Sequence, residues 1–319
     1  MLGIKKNQIS FADMAIESIL PKKVKESFLD KIDSIIDFKP IEKQVNSLYP
    51  SELGRPSNVP LIIFKMLLLQ QFYDLSDPEV ELAVADRISF RLFVGLSFNE
   101  TVPDETCLVR FRQRLIENNM KDSLLEEVNQ QFASKGLIVR KATLIDASIV
   151  ESAAKRPAKN EEPTDPDASY TIKRGKIHYG FKAHVSVDAE HNLIEKTVLT
   201  TASVHDSNVF EELLPEQTQS VYADKAYTNR ERSANLESKG IKSCIHDKAY
   251  RNHKLTDEQI ESNKTKSKVR TPIERVFAHF KRWLGYTKVR YKGISKNALQ
   301  LELLSIAYNI KRATVILMG

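Results

Sequence analysis

Three carboxylates stand out by position. Asp146 follows the apolar run Ala142-Thr143-Leu144-Ile145 and Asp224 follows Val221-Tyr222-Ala223, so each reads as an acid at the end of a buried strand. Glu274 is the one acid within residues 264–296, a stretch that holds eleven Lys or Arg. A basic field of that density attracts a polyanion. Brought together, three such carboxylates could hold two divalent ions about 3.5–4 Å apart, one activating a water or hydroxyl and the other steadying the leaving oxygen of a phosphodiester. Mg2+ or Mn2+ suits them because these hard ions prefer oxygen. Spacing alone makes no site. Taken singly, Glu274 would only close a capping box and the two aspartates would only end strands.

The elements around these residues follow from local patterns. Thr271-Pro272-Ile273-Glu274 reads as a helix start, with Thr271 as N-cap, Pro272 at the first helical position and Glu274 closing the box. Ile273, Val276, Phe277, Phe280 and Leu284 then face a core, while Glu274 and Lys281 share another face. Upstream, 178–187 alternates as a strand with one buried face, and 193–200 is its hairpin partner. A helix opening at Val204-His205-Asp206-Ser207 runs to Leu214, with His205-Asp206 as its cap. Residues 229–239 form the helix after the Asp224 strand, and 297–317 a closing apolar helix. Residues 153–173, rich in Pro, Lys, Asp and Glu, read as a mobile surface loop. Three hairpin-type strands, a helix, a strand ending in an acid and an acid on a later helix match a ribonuclease-H-like core. Strand ends and a helix converge there at one edge of a mixed sheet.

Residues 1–135 read differently. Apolar positions recur with helical period through 28–41, 61–73, 80–94 and 108–132, and no alternating strand appears. Turns fall at Gly54-Arg55-Pro56, Ser76-Asp77-Pro78 and Val102-Pro103-Asp104, with Ser76 or Asp77 and then Asp104 or Thr106 as helix caps. Arg110, Arg112 and Arg114 spread around their helix as a solvated surface. The expected architecture is an all-helical N-terminal domain over 1–135 and an α/β domain over 136–319. The net charge of +6 divides as −2 for residues 1–140 and +8 for the remainder, which puts the basic surface in the second part. Cys107 and Cys244 supply neither a disulfide framework nor a zinc set, and a reducing, cytoplasmic setting fits. No signal-peptide pattern opens the chain, and the most apolar run, 60–72, is too short for a bilayer and broken by Lys65, so membrane functions are set aside. Trp283 reads as a partly buried packing residue, and His178, His184 and His279 as surface residues of strands or helix without a shared metal-ligand spacing.

Several motifs, in order, carry a resemblance. They are Leu144-Ile145-Asp146-Ala147-Ser148, Gly180-Phe181-Lys182-Ala183-His184, Ala202-Ser203-Val204-His205-Asp206-Ser207, Tyr222-Ala223-Asp224-Lys225-Ala226-Tyr227 and Arg270-x3-Glu274-x6-Lys281. The N-terminal half adds GRPSNVPLIIFKMLLLQQFYDLSD (54–77), RISFRLFVGLS (87–97) and VPDETCLVRFRQRL (102–115). With them the chain resembles a DDE transposase of a bacterial insertion sequence, close to the IS-five group, over nearly its whole length. The resemblance implies Asp146, Asp224 and Glu274 as the metal-binding triad for two Mg2+ or Mn2+ ions, and Arg270 and Lys281 on DNA near the cleaved phosphate. Arg275, Arg282, Lys288, Arg290 and Lys225 extend that DNA-binding surface. It also implies double-stranded DNA as partner, in the form of terminal inverted repeats and target, and a homodimer in the DNA complex. The family's extended motif has a Tyr three residues before the Arg; here Ser267 stands there. Two other readings remain: a ribonuclease-H-like nuclease without strand transfer, and a domesticated DNA-binding protein that no longer cuts.

Overall fold

A computed structural model describes residues 11–21, 27–49, 58–158, 161–250 and 253–319 of the chain. The chain divides into two compact units, Met1–Gln131 with Ile306–Gly319, and Phe132–Ser305. The expected turn at Gly54-Arg55-Pro56 lies outside the described residues.

Among the described residues, 11–134 hold helices and no strand: α1 (Phe11–Ile19), α2 (Phe28–Ile35), α3 (Phe38–Asn46), α4 (Pro60–Tyr73), α5 (Asp77–Asp86), α6 (Ile88–Val94), α7 (Glu105–Glu117) and α8 (Lys121–Ser134). Ser76 caps α5 in a full capping box with Glu79, and Asp104 caps α7 by accepting from the Cys107 N–H at 2.9 Å. Both stops satisfy amide donors that the first helical turn leaves free. α4 is buried on nearly every side. Its one cation, Lys65, is tolerated because its ammonium lies 2.9 Å from Asp33 Oδ1 and over the Phe38 ring at 4.1 Å. The arginines of α7 do not all form a solvated surface. Arg112 is buried and holds Asp77, with Nη1 to Oδ1 at 2.8 Å, since a guanidinium enters a core only with a matched carboxylate.

The second unit is built on a mixed sheet. β1 (Thr143–Glu151) pairs antiparallel with β3 (Lys176–Asp188), which pairs antiparallel with both β2 (Ser169–Lys173) and β4 (Ile194–Thr201); β5 (Ser220–Tyr222) pairs parallel with β1, and β6 (Lys242–Ser243) parallel with β5. A 3-10 turn (Asp206–Val209) leads into α9 (Phe210–Leu213), and another (Lys225–Tyr227) follows β5 before α10 (Arg230–Ser238). Ile145, Val198, Phe210, Val221, Tyr227 and Leu236 pack together beneath the sheet. α11 (Asp257–Trp283) and α12 (Ile294–Met318) complete the chain.

Four expectations need correction. α11 begins not at Thr271 but at Thr256, whose side chain and Gln259 form the capping box, so Pro272 lies inside the helix and Glu274 closes no box. β1 runs five residues beyond Asp146, because its pairing with β3 continues to Glu151↔Gly180. The expected loop 153–173 ends in a strand, β2, and Asp165 within it is fully buried. Asp165 Oδ1 accepts from the Gly293 N–H, and Asp167 Oδ2 from the Ile294 N–H at 2.8 Å, so the amides at the start of α12 satisfy these acids. Finally, β3 is flanked by strands on both sides and covered on both faces from Phe181 onward, so His184 is buried, not a surface residue.

Candidate active site

Arg270 carries the site's central contact. Its Nη2 lies 3.3 Å from Asp146 Oδ2, and its side chain is only 14% exposed. The Nε of the same guanidinium is buried with no partner. Asp146 also accepts from the Ala147 N–H at 2.8 Å. Burial pushes the Asp146 carboxyl above the usual range; Arg270 and the Ala147 amide pull it down, and the nearby Asp224 carboxylate pushes it up. The two aspartates therefore share one electrostatic site. Asp224 follows β5 and caps the 3-10 turn 225–227 through the Ala226 N–H.

Glu274 is exposed on α11, one turn beyond Arg270 and so on the same side of the helix. Among the described residues, no three of His, Cys, Asp and Glu stand together as a metal-holding group. The pair Asp146 and Asp224 nevertheless suits a hard cation. Their donors are carboxylate oxygens, and a guanidinium already supplies positive charge at Asp146 Oδ2.

The expected DNA-binding residues lie on α11 and the segments around it, most of them exposed. Arg275, Lys281 and Arg282 are exposed on α11, and Lys225 is exposed beside Asp224. Lys288 is exposed on a segment bridged to Glu151, and Arg290 is half-buried with its N–H on Gln300 Oε1 at 3.1 Å. Ser267 Oγ lies 3.2 Å from His246 Nε2. Trp283, the last residue of α11, is 71% exposed, against the expected packing role.

Two groups near these residues stood in the sequence motifs without a role assigned to them. Tyr227 is buried, its hydroxyl has no partner, and burial together with Asp206, Asp146 and Asp224 drives its pKa far up. Lys182 Nζ holds Asp206 Oδ1 at 2.8 Å and the Val204 carbonyl at 2.7 Å, which fixes the turn that His205 caps. Only the Tyr222-Ala223-Asp224-Lys225-Ala226-Tyr227 string pointed to Tyr227, and a pattern cannot tell a core phenol from a site phenol.

His184 Nε2 lies 2.9 Å from Thr200 Oγ1, and burial lowers its pKa from 6.5 to about 4, with Asp206 opposing and Lys182 reinforcing. The unfolded chain takes up this proton below pH 6.5 and the folded chain only near pH 4, so stability falls as pH drops through that window. The loss reaches about 3 kcal/mol. Urea unfolding of wild type and His184→Gln at pH 7 and pH 5 should show the larger acid loss in wild type. Equal losses would remove His184 from the account.

Known proteins bear on the chain as follows. Residues 17–114 match the Transposase domain (DUF772), and residues 139–310 match the Transposase DDE domain. Among solved structures, the chain is similar to a piggyBac transposase synaptic complex with hairpin DNA, at 13% identity and TM-score 0.43, covering 92% of this chain and 74% of that one. It is also similar to the Mos1 strand transfer complex, at 9% identity and TM-score 0.21, covering 88% and 84%. A pre-cleavage Mos1 transpososome matches at 10% identity and TM-score 0.20, covering 95% and 90%. With more than half of its length matched, including Asp146, Asp224 and Glu274, the chain belongs to the Transposase DDE domain family.

Proposed function

We propose that this chain is the DNA transposase of a bacterial insertion sequence, close to the IS-five group, with a ribonuclease-H-like catalytic domain. The carrying observation is the Asp146–Arg270 ion pair, which ties β1 to a helix that also presents Glu274 and a row of cations. The strand order β4-β3-β1-β5-β6, antiparallel through β1 and parallel beyond it, supports the fold assignment.

Asp146, Asp224 and Glu274 would hold two Mg2+ or Mn2+ ions, whose charge would make a water or hydroxyl more nucleophilic and steady the leaving oxygen. Arg270 orients the phosphodiester through its planar donors, and Lys281, Arg275 and Arg282 hold flanking phosphates. Water attack on phosphorus at each element end breaks the bond to the 3′ oxygen and leaves a 3′ hydroxyl. That hydroxyl then attacks a target phosphodiester and displaces a second 3′ oxygen. No protein–DNA covalent bond is needed. Residues 1–135 take the tasks of end recognition and pairing two element ends in a homodimer. The protein acts in the bacterial cytoplasm, on the nucleoid when DNA-bound; no helix among the described residues is long and apolar enough to cross a membrane.

The test is a plasmid carrying the DNA that flanks the reading frame, incubated with protein and Mg2+. Cleavage at both ends of a short inverted repeat followed by joining into a second plasmid is the expected result. Cutting without joining would make the protein a nuclease, and binding without cutting a DNA-binding protein alone.

A further inference from the structure

The half of α11 that carries Arg270 has no buried residue of its own. Ile273, Val276, Phe277 and Phe280, the buried residues of the helix, all lie beyond Pro272, and Pro272 has no N–H to bond the Lys268 carbonyl. Polar contacts to residues 245–247 hold this half instead. Asn263 pairs reciprocally with Asp247: its Oδ1 accepts from the Asp247 N–H at 2.9 Å, and its Nδ2 donates to the Asp247 carbonyl at 3.1 Å. Lys266 Nζ donates to Asp247 Oδ2 and to the Ile245 carbonyl, both at 2.9 Å, from a side chain only 18% exposed. Ser267 adds its contact with His246.

The segment on the other side of this clamp is itself fixed. The N–H groups of Lys242, Cys244 and His246 donate to the carbonyls of Gln219, Val221 and Ala223 at 2.9, 2.8 and 3.1 Å, so the parallel pairing begun by β6 continues to the residue before Asp224. Thr228 Oγ1 donates to the His246 carbonyl at 2.9 Å and ties the segment to the turn that Asp224 caps. The clamp is thus mounted on the backbone that leads into Asp224. On α11, Asn263, Ser267, Arg270 and Glu274 follow one another at helical spacing, with Lys266 beside them, and so share one stripe. That stripe meets 245–247 first and Asp146 next, through Arg270. Apolar burial is non-directional, whereas hydrogen bonds fix distance and angle, so the clamp sets the slide and rotation of α11 as well as its closeness.

We propose that Asn263, Lys266 and Asp247 are positioning residues for phosphodiester cleavage, acting through Arg270 by holding its guanidinium at Asp146. This rests on the transposase reading and adds to it the device that keeps α11 in register. The test compares Asn263→Ala and Lys266→Met in the full chain, with Lys264→Gln as control, since Lys264 serves an exposed pair with Glu261. One readout needs neither DNA nor metal. Arg270 Nε is buried, so its N–H gives a protected signal in 15N spectra, assigned by its absence from Arg270→Gln. That signal should shift or broaden in Asn263→Ala and Lys266→Met and stay in place in Lys264→Gln. The other readout is single-turnover cleavage of end DNA, which should slow roughly 10- to 100-fold in both variants, the effect of a small misplacement of a reacting geometry. Kd for end DNA should stay within about twofold in Asn263→Ala, which removes no cation. The two variants break different bonds, so either carries the test where the other fails to fold. An unmoved Arg270 signal, or wild-type cleavage beside a displaced signal, overturns the clamp proposal and leaves the transposase reading standing. Failure of the wild type to cut end DNA overturns both.

Discussion

Asp146→Asn, Asp224→Asn and Glu274→Gln are each expected to lower Mg2+-dependent strand cleavage by on the order of 10^3-fold or more while end-DNA binding stays near wild type. The separation follows from the division of charge: carboxylates hold the cations, while lysines and arginines hold phosphates. The three substitutions differ in their structural cost. Asp224→Asn keeps an oxygen that can accept the Ala226 N–H, and Glu274 is exposed, so neither should disturb folding. Asp146→Asn removes the ion-pair partner of a guanidinium that is 14% exposed and already has an unpartnered Nε. It also removes a carboxylate whose ionisation burial disfavours, and these two effects oppose each other. Thermal unfolding of all three, beside nicking and gel-shift assays, separates lost chemistry from lost fold. Near wild-type nicking by any one variant would end that residue's assignment.

How much of this was legible in the sequence depended on whether a residue's environment is set locally. Strands β3 and β4 fell within two residues of their expected ends, because alternation in 178–187 and the turn at 188–192 are local signals. The capping roles of Ser76, Asp104 and His205 were legible for the same reason. The start of α11 was not. Residues 257–270 are polar on most sides, so no apolar stripe marks them, and Thr271-Pro272 looked like a first turn. The helix passes through Pro272 although proline removes one backbone bond there, and Thr271 Oγ1 bonds the Ser267 carbonyl in the preceding turn. The β2–β3 hairpin was missed because Pro, Glu and Asp in 156–167 suggested a loop that continued. The mirrored Tyr-Thr-Ile-Lys and Lys-Ile-His-Tyr around Arg174-Gly175 was the available signal. At the candidate site, the order of motifs pointed to Asp146 and Asp224, but no pattern could show that Arg270 pairs with Asp146. That contact joins residues 124 positions apart, and only the packing of α11 against β1 brings them together.

Gly180→Ala should be the most damaging single methyl in the second unit. A Cβ at Gly180 would lie 2.3 Å from the Val150 carbonyl oxygen, 2.6 Å from the Ser152 nitrogen and 2.8 Å from the Glu151 carbonyl carbon. All three are backbone atoms of the adjoining strand end, so no rotamer change can relieve the clash. The strands themselves would have to separate, and two contacts depend on their closeness: the Glu151↔Gly180 pairing and the Ser152 N–H to the Tyr179 carbonyl at 3.0 Å. Losing this junction also frees the base of the β2–β3 hairpin. A cost of about 3–5 kcal/mol is expected, in the range that marks overpacking joined to broken backbone pairing. Gly175→Ala is the matched comparison. It has φ of 77° but nothing within 4 Å of the new Cβ, so only the left-handed backbone is penalised, at about 1 kcal/mol. Urea unfolding of the two variants beside wild type should give a large fall in midpoint, or insoluble protein, for Gly180→Ala and a small one for Gly175→Ala. Equal midpoints for the pair would mean that β1 and β3 do not approach as closely at Gly180 as the structure has them.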